Sequence, residues 1–184
     1  MTSSPDAPSS GPNPAPEFSH TVDVRQVEGL APRLEANETE RAALAKRFGL
    51  VRLDRLVAQL ELSRKERTVS VKGTLDAAWV QTCAISADEL PVEISGEPID
   101  VRFVPQLTGY APDAEIELES DDLDEIEYSG TYVDLGEAVA QSLALSIDPY
   151  LTGPDAEAAR AKAGLSTPED NSPFAALKGL TGKD

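Results

Sequence analysis

The strongest constraint on the fold is a long alternation of side-chain types between Thr68 and Trp79. One set of alternate positions holds Val69, Val71, Gly73, Leu75, Ala77 and Trp79, and the other holds Thr68, Ser70, Lys72, Thr74 and Asp76. Successive side chains of a strand point to opposite faces of the sheet, so this pattern predicts a half-buried β-strand. Trp79, the single tryptophan, is predicted to lie in the core.

Further strands are predicted on both sides of this segment. Residues 53–64 alternate as a strand would, although they also fit a helical stripe. Residues 65–67 resemble a turn, so we favour a hairpin over a helix. Residues 90–103 also alternate, but the parity changes at Gly96, which indicates one strand with a bulge or two short strands. A shorter alternation over residues 18–24 predicts a first strand.

Two helices carry clear start and stop signals. Asn37 and Glu40 have the spacing of a capping box, and Gly49 is a typical helix end. A second apolar helical face begins after Asp134 and ends at Asp148, because the residue before a proline avoids helical backbone angles. The chain is therefore predicted to form an α+β domain, with a mainly antiparallel β-sheet and two packed helices.

The predicted domain covers residues 18–150 and is preceded by an arm, residues 1–17. The arm holds five prolines and four serines and few apolar side chains, so we expect it to be disordered. Residues 111–130 hold nine acidic residues and no basic ones, and are predicted to form an acidic loop. A short edge strand is possible within this loop, over residues 115–119.

A loose, flexible C-terminal tail is predicted over residues 151–184. Residues 155–163 have the composition of a weakly held helix without a strong apolar face. Residues 171–180 contain an isolated apolar group that includes Phe174 and Leu177. An apolar group in a polar tail can dock on the domain or on a partner protein, so both side chains are candidate partner contacts.

Charge is segregated along the chain. The net charge is −17, yet residues 41–72 hold nine Lys/Arg against three Asp/Glu. A hairpin and an adjoining helix end would place these cations in one patch that contacts RNA phosphates. The alternative is that they pair with the acidic stretch of the same chain. The RNA-contact candidates are Lys46, Arg47, Arg52, Arg55, Arg64, Lys65 and Arg67.

The second half of the chain is strongly acidic. Residues 83–154 hold seventeen Asp/Glu and one basic residue, Arg102. Such a surface would attract a basic protein, although it could instead serve only to keep the chain soluble. The candidate contacts for a protein partner are Asp121, Asp122, Asp124, Glu125 and Glu127. They lack the glycine and the spacing of a calcium-binding loop, so no metal is predicted.

Catalytic groups are scarce. Cys83 is the only cysteine and His20 the only histidine, so a Cys/His zinc site or a His-dependent triad is not expected. Acidic residues soon after Cys83 are expected to raise its pKa, which favours a structural role. Without a phosphate-binding glycine loop either, we expect no enzymatic activity and no cofactor. The absence of a signal peptide and of a membrane-spanning run predicts a soluble, cytoplasmic protein.

Several segments in order resemble the YceD family, especially its alphaproteobacterial branch. The resemblance is carried by Val71-Lys72-Gly73-Thr74-Leu75-Asp76-Ala77 followed by Gln81-Thr82-Cys83; Tyr132-Val133-Asp134-Leu135-Gly136-Glu137 followed by Leu143-Ala144-Leu145 and Asp148-Pro149-Tyr150; Glu40-Arg41-Ala42-Ala43-Leu44-Ala45; and Asn171-Ser172-Pro173-Phe174. It covers residues 18–180. Many family members have a second cysteine close to the first, but Ser86 stands there in this chain, so a metal or redox role does not carry over.

The resemblance implies a bacterial factor that supports accumulation of 23S ribosomal RNA and synthesis of the large ribosomal subunit, without known enzymatic activity. Our first hypothesis is a ribosome-assembly factor whose basic hairpin approaches ribosomal RNA while its acidic stretch binds a basic ribosomal protein. The second hypothesis is an acidic interaction module that holds one basic partner without RNA contact.

Overall fold

The computed structural model describes residues 16–106 and 125–164. Within these ranges the chain forms an α+β fold, as predicted. In chain order its elements are β1 (Thr21–Asp23), β2 (Arg33–Glu35), α1 (Glu38–Phe48), β3 (Arg52–Lys65), β4 (Thr68–Thr82), β5 (Glu89–Pro105), β6 (Glu125–Tyr128), β7 (Tyr132–Asp134), α2 (Leu135–Ser146) and α3 (Ala156–Lys162).

The main sheet has five strands in the order β2-β3-β4-β5-β6, and a separate two-stranded sheet pairs β1 with β7. All pairs are antiparallel except β5 with β6, which run parallel. The assignment of loop to residues 125–128 is wrong, because β6 pairs with the end of β5. Tyr128 is buried at this edge and its hydroxyl donates to the Arg67 carbonyl at 2.6 Å.

The core lies on the face of the main sheet that the alternation of β4 predicts. Val69, Leu75 and Ala77 are fully buried, and Trp79 is 1% exposed, which confirms its predicted core position. The core cluster also contains buried side chains of both longer helices, such as Leu44 of α1. The sheet thus has one covered face and one polar face, and β4 contributes its exposed or half-buried side chains to the polar face.

Both predicted helix starts have their expected caps. The Asn37 side chain accepts from Glu40 N at 3.0 Å while Asn37 N donates to Glu40 Oε2 at 2.7 Å, which completes a capping box. Gly49 ends α1 with a φ of 67°, a conformation that glycine adopts without steric cost. Asp134 caps α2 by accepting from Gly136 N and Glu137 N at 2.9 and 3.2 Å.

Strand β5 resolves the ambiguity at Gly96 in favour of one strand with a bulge. The bulge lies opposite Asp76, whose Oδ1 accepts from the Ser95 hydroxyl at 2.7 Å and from Gly96 N at 2.9 Å. These hydrogen bonds lower the pKa of Asp76. The first strand is shorter than predicted, since only Thr21–Asp23 pairs, although Phe18 before it is buried.

The first residues of the predicted tail form hydrogen bonds with the turn after β4. Ala84 N donates to the Leu151 carbonyl at 2.9 Å, and Gly153 N donates to Cys83 Sγ at 3.3 Å. Helix α3 follows, within the range predicted as a weak helix. Three predicted features lie wholly or partly outside the described residues. They are the arm, of which residues 1–15 are not described, the short strand over residues 115–119 and the docking segment over residues 171–180. No helix in the described ranges combines the length and apolar character needed to cross a membrane.

Candidate nucleic-acid and protein interfaces

The basic candidates fall into two groups at opposite ends of β3. Arg64, Lys65 and Arg67 lie at the turn between β3 and β4, which we call the hairpin end; Lys46, Arg47, Arg52 and Arg55 lie at the other end, near the end of α1. At ~3.3 Å per residue, the nine steps from Arg55 to Arg64 extend to roughly 30 Å. The prediction of a single basic patch is therefore wrong, because β3 is one long extended strand.

Three of the four members of the group near α1 are paired with acidic residues, whereas Lys46 forms no ion pair among the described residues. Arg47 donates to Glu137 through both terminal nitrogens at 2.8 Å and also reaches Glu17 at 3.1 Å. Its guanidinium also lies 5.3 Å from the centre of the Phe48 ring. Glu137 comes first among the causes that raise the pKa of Arg47. This side chain therefore joins secondary-structure elements and is poorly placed to contact a phosphate.

Two further members of this group also have carboxylate partners. Arg52 lies 3.2 Å from Asp54 and 3.6 Å from Glu89, and Arg55 lies 3.2 Å from Glu93. All these side chains are about half exposed or more, so the pairs contribute at most ~1 kcal/mol each. They still lower the positive potential at this end of the sheet. Arg47, Arg52 and Arg55 are thus paired within the chain, but their partners lie outside the acidic stretch over residues 111–130.

The hairpin end is different. The Arg64 guanidinium donates to the Glu66 and Val24 carbonyls at 2.8 and 3.1 Å, which orients it without neutralising its charge. Within the described part of the chain, no carboxylate oxygen lies within 4.0 Å of the Lys65 or Arg67 side-chain nitrogens. Glu28 Oε2 accepts from Arg64 N at 2.7 Å, but among the described residues no carboxylate forms an ion pair with the side chains of Arg64, Lys65 or Arg67.

The structure places Tyr132 and the ion pair of Asp23 with Arg25 beside the hairpin end, which the sequence patterns did not indicate as a site. Tyr132 is 59% exposed and pairs in register with Asp23. The Asp23 carboxylate binds Arg25, whose Nε lies 2.9 Å from Asp23 Oδ1. Hydrogen bonds from the Arg25 side chain, and then from its backbone N–H, lower the pKa of Asp23 to about 2. Their adjacency depends on the pairing of β1 with β7, which no local pattern reveals.

The acidic side of the described structure lies along β5 and β6. Glu125 is placed on β6 and contacts Arg102 at 3.3 Å, whereas Glu127 is exposed. Exposed acidic side chains continue along β5 at Glu89, Glu93, Glu97 and Asp100. Asp100 also binds Lys72 at 2.8 Å. The other partner candidates, namely Asp121, Asp122, Asp124, Phe174 and Leu177, lie outside the described residues.

Cys83 is 3% exposed and its sulfur is surrounded by hydrogen-bond donors. Ser86 N and Gly153 N lie 3.3 Å from Sγ, and Ile85 N lies 3.5 Å from it. Hydrogen bonding by Ser86, and then by the backbone N–H groups of Gly153 and Ile85, lowers the pKa of the thiol to about 6, while the Ser86 hydroxyl itself donates to Asp88 Oδ2 at 2.6 Å. The expectation of a raised pKa is therefore wrong, because these donors outweigh the acidic residues nearby in sequence.

Among the described residues, no three His, Cys, Asp or Glu side chains are grouped closely enough to hold a metal ion. In comparisons with known proteins, no family model, no curated protein and no solved structure matches the chain. The resemblance to the YceD family thus depends on the sequence segments quoted above.

Proposed function

We propose that this protein is a non-enzymatic, cytoplasmic factor that supports accumulation of 23S ribosomal RNA and assembly of the large ribosomal subunit. Its hairpin end binds ribosomal RNA, and its acidic β5–β6 side binds a basic ribosomal protein. The resemblance to the YceD family supports the ribosomal context. The charge distribution of the structure supports the division into two binding surfaces.

The observation that carries this proposal is the contrast between the two ends of β3. Arg52 and Arg55 face carboxylates, whereas Lys65 and Arg67 have no such partner within the described residues. A cation already paired with a carboxylate gains little from a phosphate, because it must first give up that partner. RNA contact should therefore concentrate at the hairpin end, despite the net charge of −17.

Binding of 23S ribosomal RNA fragments tests the RNA half of the proposal. A variant with Arg64→Gln, Lys65→Gln and Arg67→Gln should weaken binding and flatten its salt dependence, by roughly one unit of slope for each phosphate that is no longer bound. The matched control is Arg52→Gln with Arg55→Gln, which removes cations that are already paired. Equal reductions in affinity in both variants would contradict the assignment of RNA binding to the hairpin end.

Recovery of basic proteins from ribosomal extracts tests the protein half. Neutralising Glu93, Glu97 and Asp100 to the corresponding amides should weaken capture of a basic ribosomal protein and should not weaken RNA binding, because it also removes the partners of Arg55 and Lys72. A second variant that neutralises Asp121, Asp122, Asp124 and Glu125 tests the other acidic partner candidates in the same way. If RNA binding and protein capture fell together in both variants, the two-surface proposal would be wrong.

A second candidate function is an acidic module that holds one basic protein without contacting RNA. The internal pairing of Arg47, Arg52 and Arg55 favours this alternative, because it removes much of the positive surface. Ultraviolet crosslinking in cells distinguishes the two functions. RNA crosslinks to peptides that contain Arg64 or Arg67 support the assembly factor, and their absence beside intact protein capture supports the acidic module.

A further inference from the structure

We infer that the hairpin end binds single-stranded RNA, with one base stacked on the exposed ring of Tyr132 and the flanking phosphates bound by Arg64, Lys65 and Arg67. This inference rests on the proposed function and adds to it the class of RNA and the residue that contacts a base.

The backbone of Val24 connects the segment that carries Tyr132 to the Arg64 side chain. Val24 N donates to the Thr131 carbonyl at 2.9 Å, directly before Tyr132, and the Val24 carbonyl accepts from Arg64 at 3.1 Å. The β-turn that carries Lys65 and Arg67 therefore lies beside the two-stranded sheet that carries Tyr132. A hydrogen bond from Tyr128 to the Arg67 carbonyl fixes this turn further.

The Tyr132 ring is open to a ligand. It is 59% exposed, and the one cation found over an aromatic ring among the described residues is Arg47 over Phe48. Asp23, the register partner of Tyr132, is paired with Arg25, so the cations available to a phosphate are those of the hairpin end. An exposed aromatic face near cations without a carboxylate partner is a typical environment for an unpaired base and its phosphates.

Single-stranded RNA fits this arrangement better than a duplex. A tyrosine can stack only on a base whose face is free, and the bases of a helix are already stacked on each other. A duplex would use the phosphate-binding cations alone, and only a few cations are present in an otherwise acidic molecule. Stacking supplies the part of the affinity that does not depend on salt.

Fluorescence anisotropy with a labelled oligouridine, single-stranded or annealed to oligoadenine, tests the inference. Tyr132→Ala should weaken binding of the single strand by about 5- to 100-fold and have little effect on the duplex. Tyr132→Phe keeps the ring and should bind within about twofold of wild type. Tyr150→Ala is the matched control, because Tyr150 is 81% exposed but lies beyond the far end of α2.

The outcomes separate this inference from the proposed function. If the hairpin-end triple variant loses RNA binding while Tyr132→Ala binds normally, the stacking inference is overturned and the RNA-binding role of the hairpin end stands. If wild-type protein binds neither RNA, both are overturned. A weakening with Tyr132→Ala that Tyr132→Phe does not restore would indicate a structural defect and also overturn stacking.

Discussion

The Arg47 guanidinium and the Glu137 carboxylate form two parallel hydrogen bonds of 2.8 Å, which join the end of α1 to the start of α2. The two side chains are 32% and 27% exposed, so the pair is partly shielded from water. A bidentate pair in this setting is stronger than an exposed ion pair on a surface. Arg47, which looked in the sequence like an RNA contact, thus has a structural role.

Removal of this pair should destabilise the fold. We expect Glu137→Gln to lower the free energy of unfolding by about 1–2 kcal/mol, measured by urea denaturation. Arg47 lowers the pKa of Glu137 in the folded state. The stability that the pair contributes is therefore fully present above the ordinary pKa of glutamate and is lost as the pH falls through the lowered pKa. Glu157→Gln is the control, since Glu157 is 73% exposed in its pair with Arg160. A constant difference from wild type down to strongly acidic pH would contradict this account.

A buried polar chain should make Gln81 important for stability. Trp79 Nε1 donates to Gln81 Oε1 at 2.8 Å, and Gln81 Nε2 donates to the Asp148 carbonyl at 2.6 Å. Gln81→Met would leave one buried donor and one acceptor unpaired, so we expect the free energy of unfolding to fall by about 2–4 kcal/mol. Trp79 fluorescence reports the unfolding transition. The exposed control Gln59→Met should lower the free energy of unfolding by less than about 0.5 kcal/mol. Similar losses of stability in both variants would contradict the importance of the Gln81 hydrogen bonds.

The close approach of β3 to β4 should make Gly73 irreplaceable. A Cβ at Gly73 would lie 2.0 Å from the Gln59 carbonyl oxygen, so the backbone of the sheet would have to move. We expect Gly73→Ala to cost at least about 2–3 kcal/mol in thermal or urea denaturation. Gly153→Ala is the control, because its Cβ would meet only the movable end of Leu90. A Gly73→Ala variant as stable as the control would show that the sheet relaxes easily.

Cys83 should titrate as an unusually acidic thiol. The ultraviolet absorbance of the thiolate should appear with a midpoint near pH 6, with Cys83→Ser as the blank. A lowered folded-state pKa stabilises the fold fully above the ordinary thiol pKa, and this contribution is lost as the pH falls through about 6. Wild-type stability should therefore rise relative to Cys83→Ser between these two pH values. A midpoint at or above about 8.5 would contradict the hydrogen-bond geometry.

Local sequence patterns were sufficient to predict α1 and β4. The Asn37–Glu40 capping box and the Gly49 stop define α1, and the alternation around Trp79 defines β4 and its buried face. Strand β6 was missed because Glu125–Tyr128 is acidic and short, and becomes a strand only through pairing with β5. The three-residue strand β2 was missed for the same reason, since its partner β3 supplies its hydrogen bonds.

The candidate sites depended even more on distant contacts. The sequence identified Arg47 and Arg64 as equivalent cations, but Glu137 neutralises one and backbone carbonyls hold the other. Similarly, the N–H group of Gly153 donates to Cys83 Sγ although the two residues are far apart in the sequence. Such partners determine which charges are available for binding, and composition does not reveal them.

The pairing of β1 with β7 also has a consequence for how the protein is made. Thr21 pairs with Asp134, so the first strand leaves the ribosome long before its partner is synthesised. The β3–β4–β5 meander has neighbours close in sequence and can form during translation, whereas contacts over such a distance form slowly. We therefore expect Phe18 and β1 to stay unpacked on the nascent chain until α2 has emerged, and this is the interval in which the new chain is most exposed to proteases and chaperones.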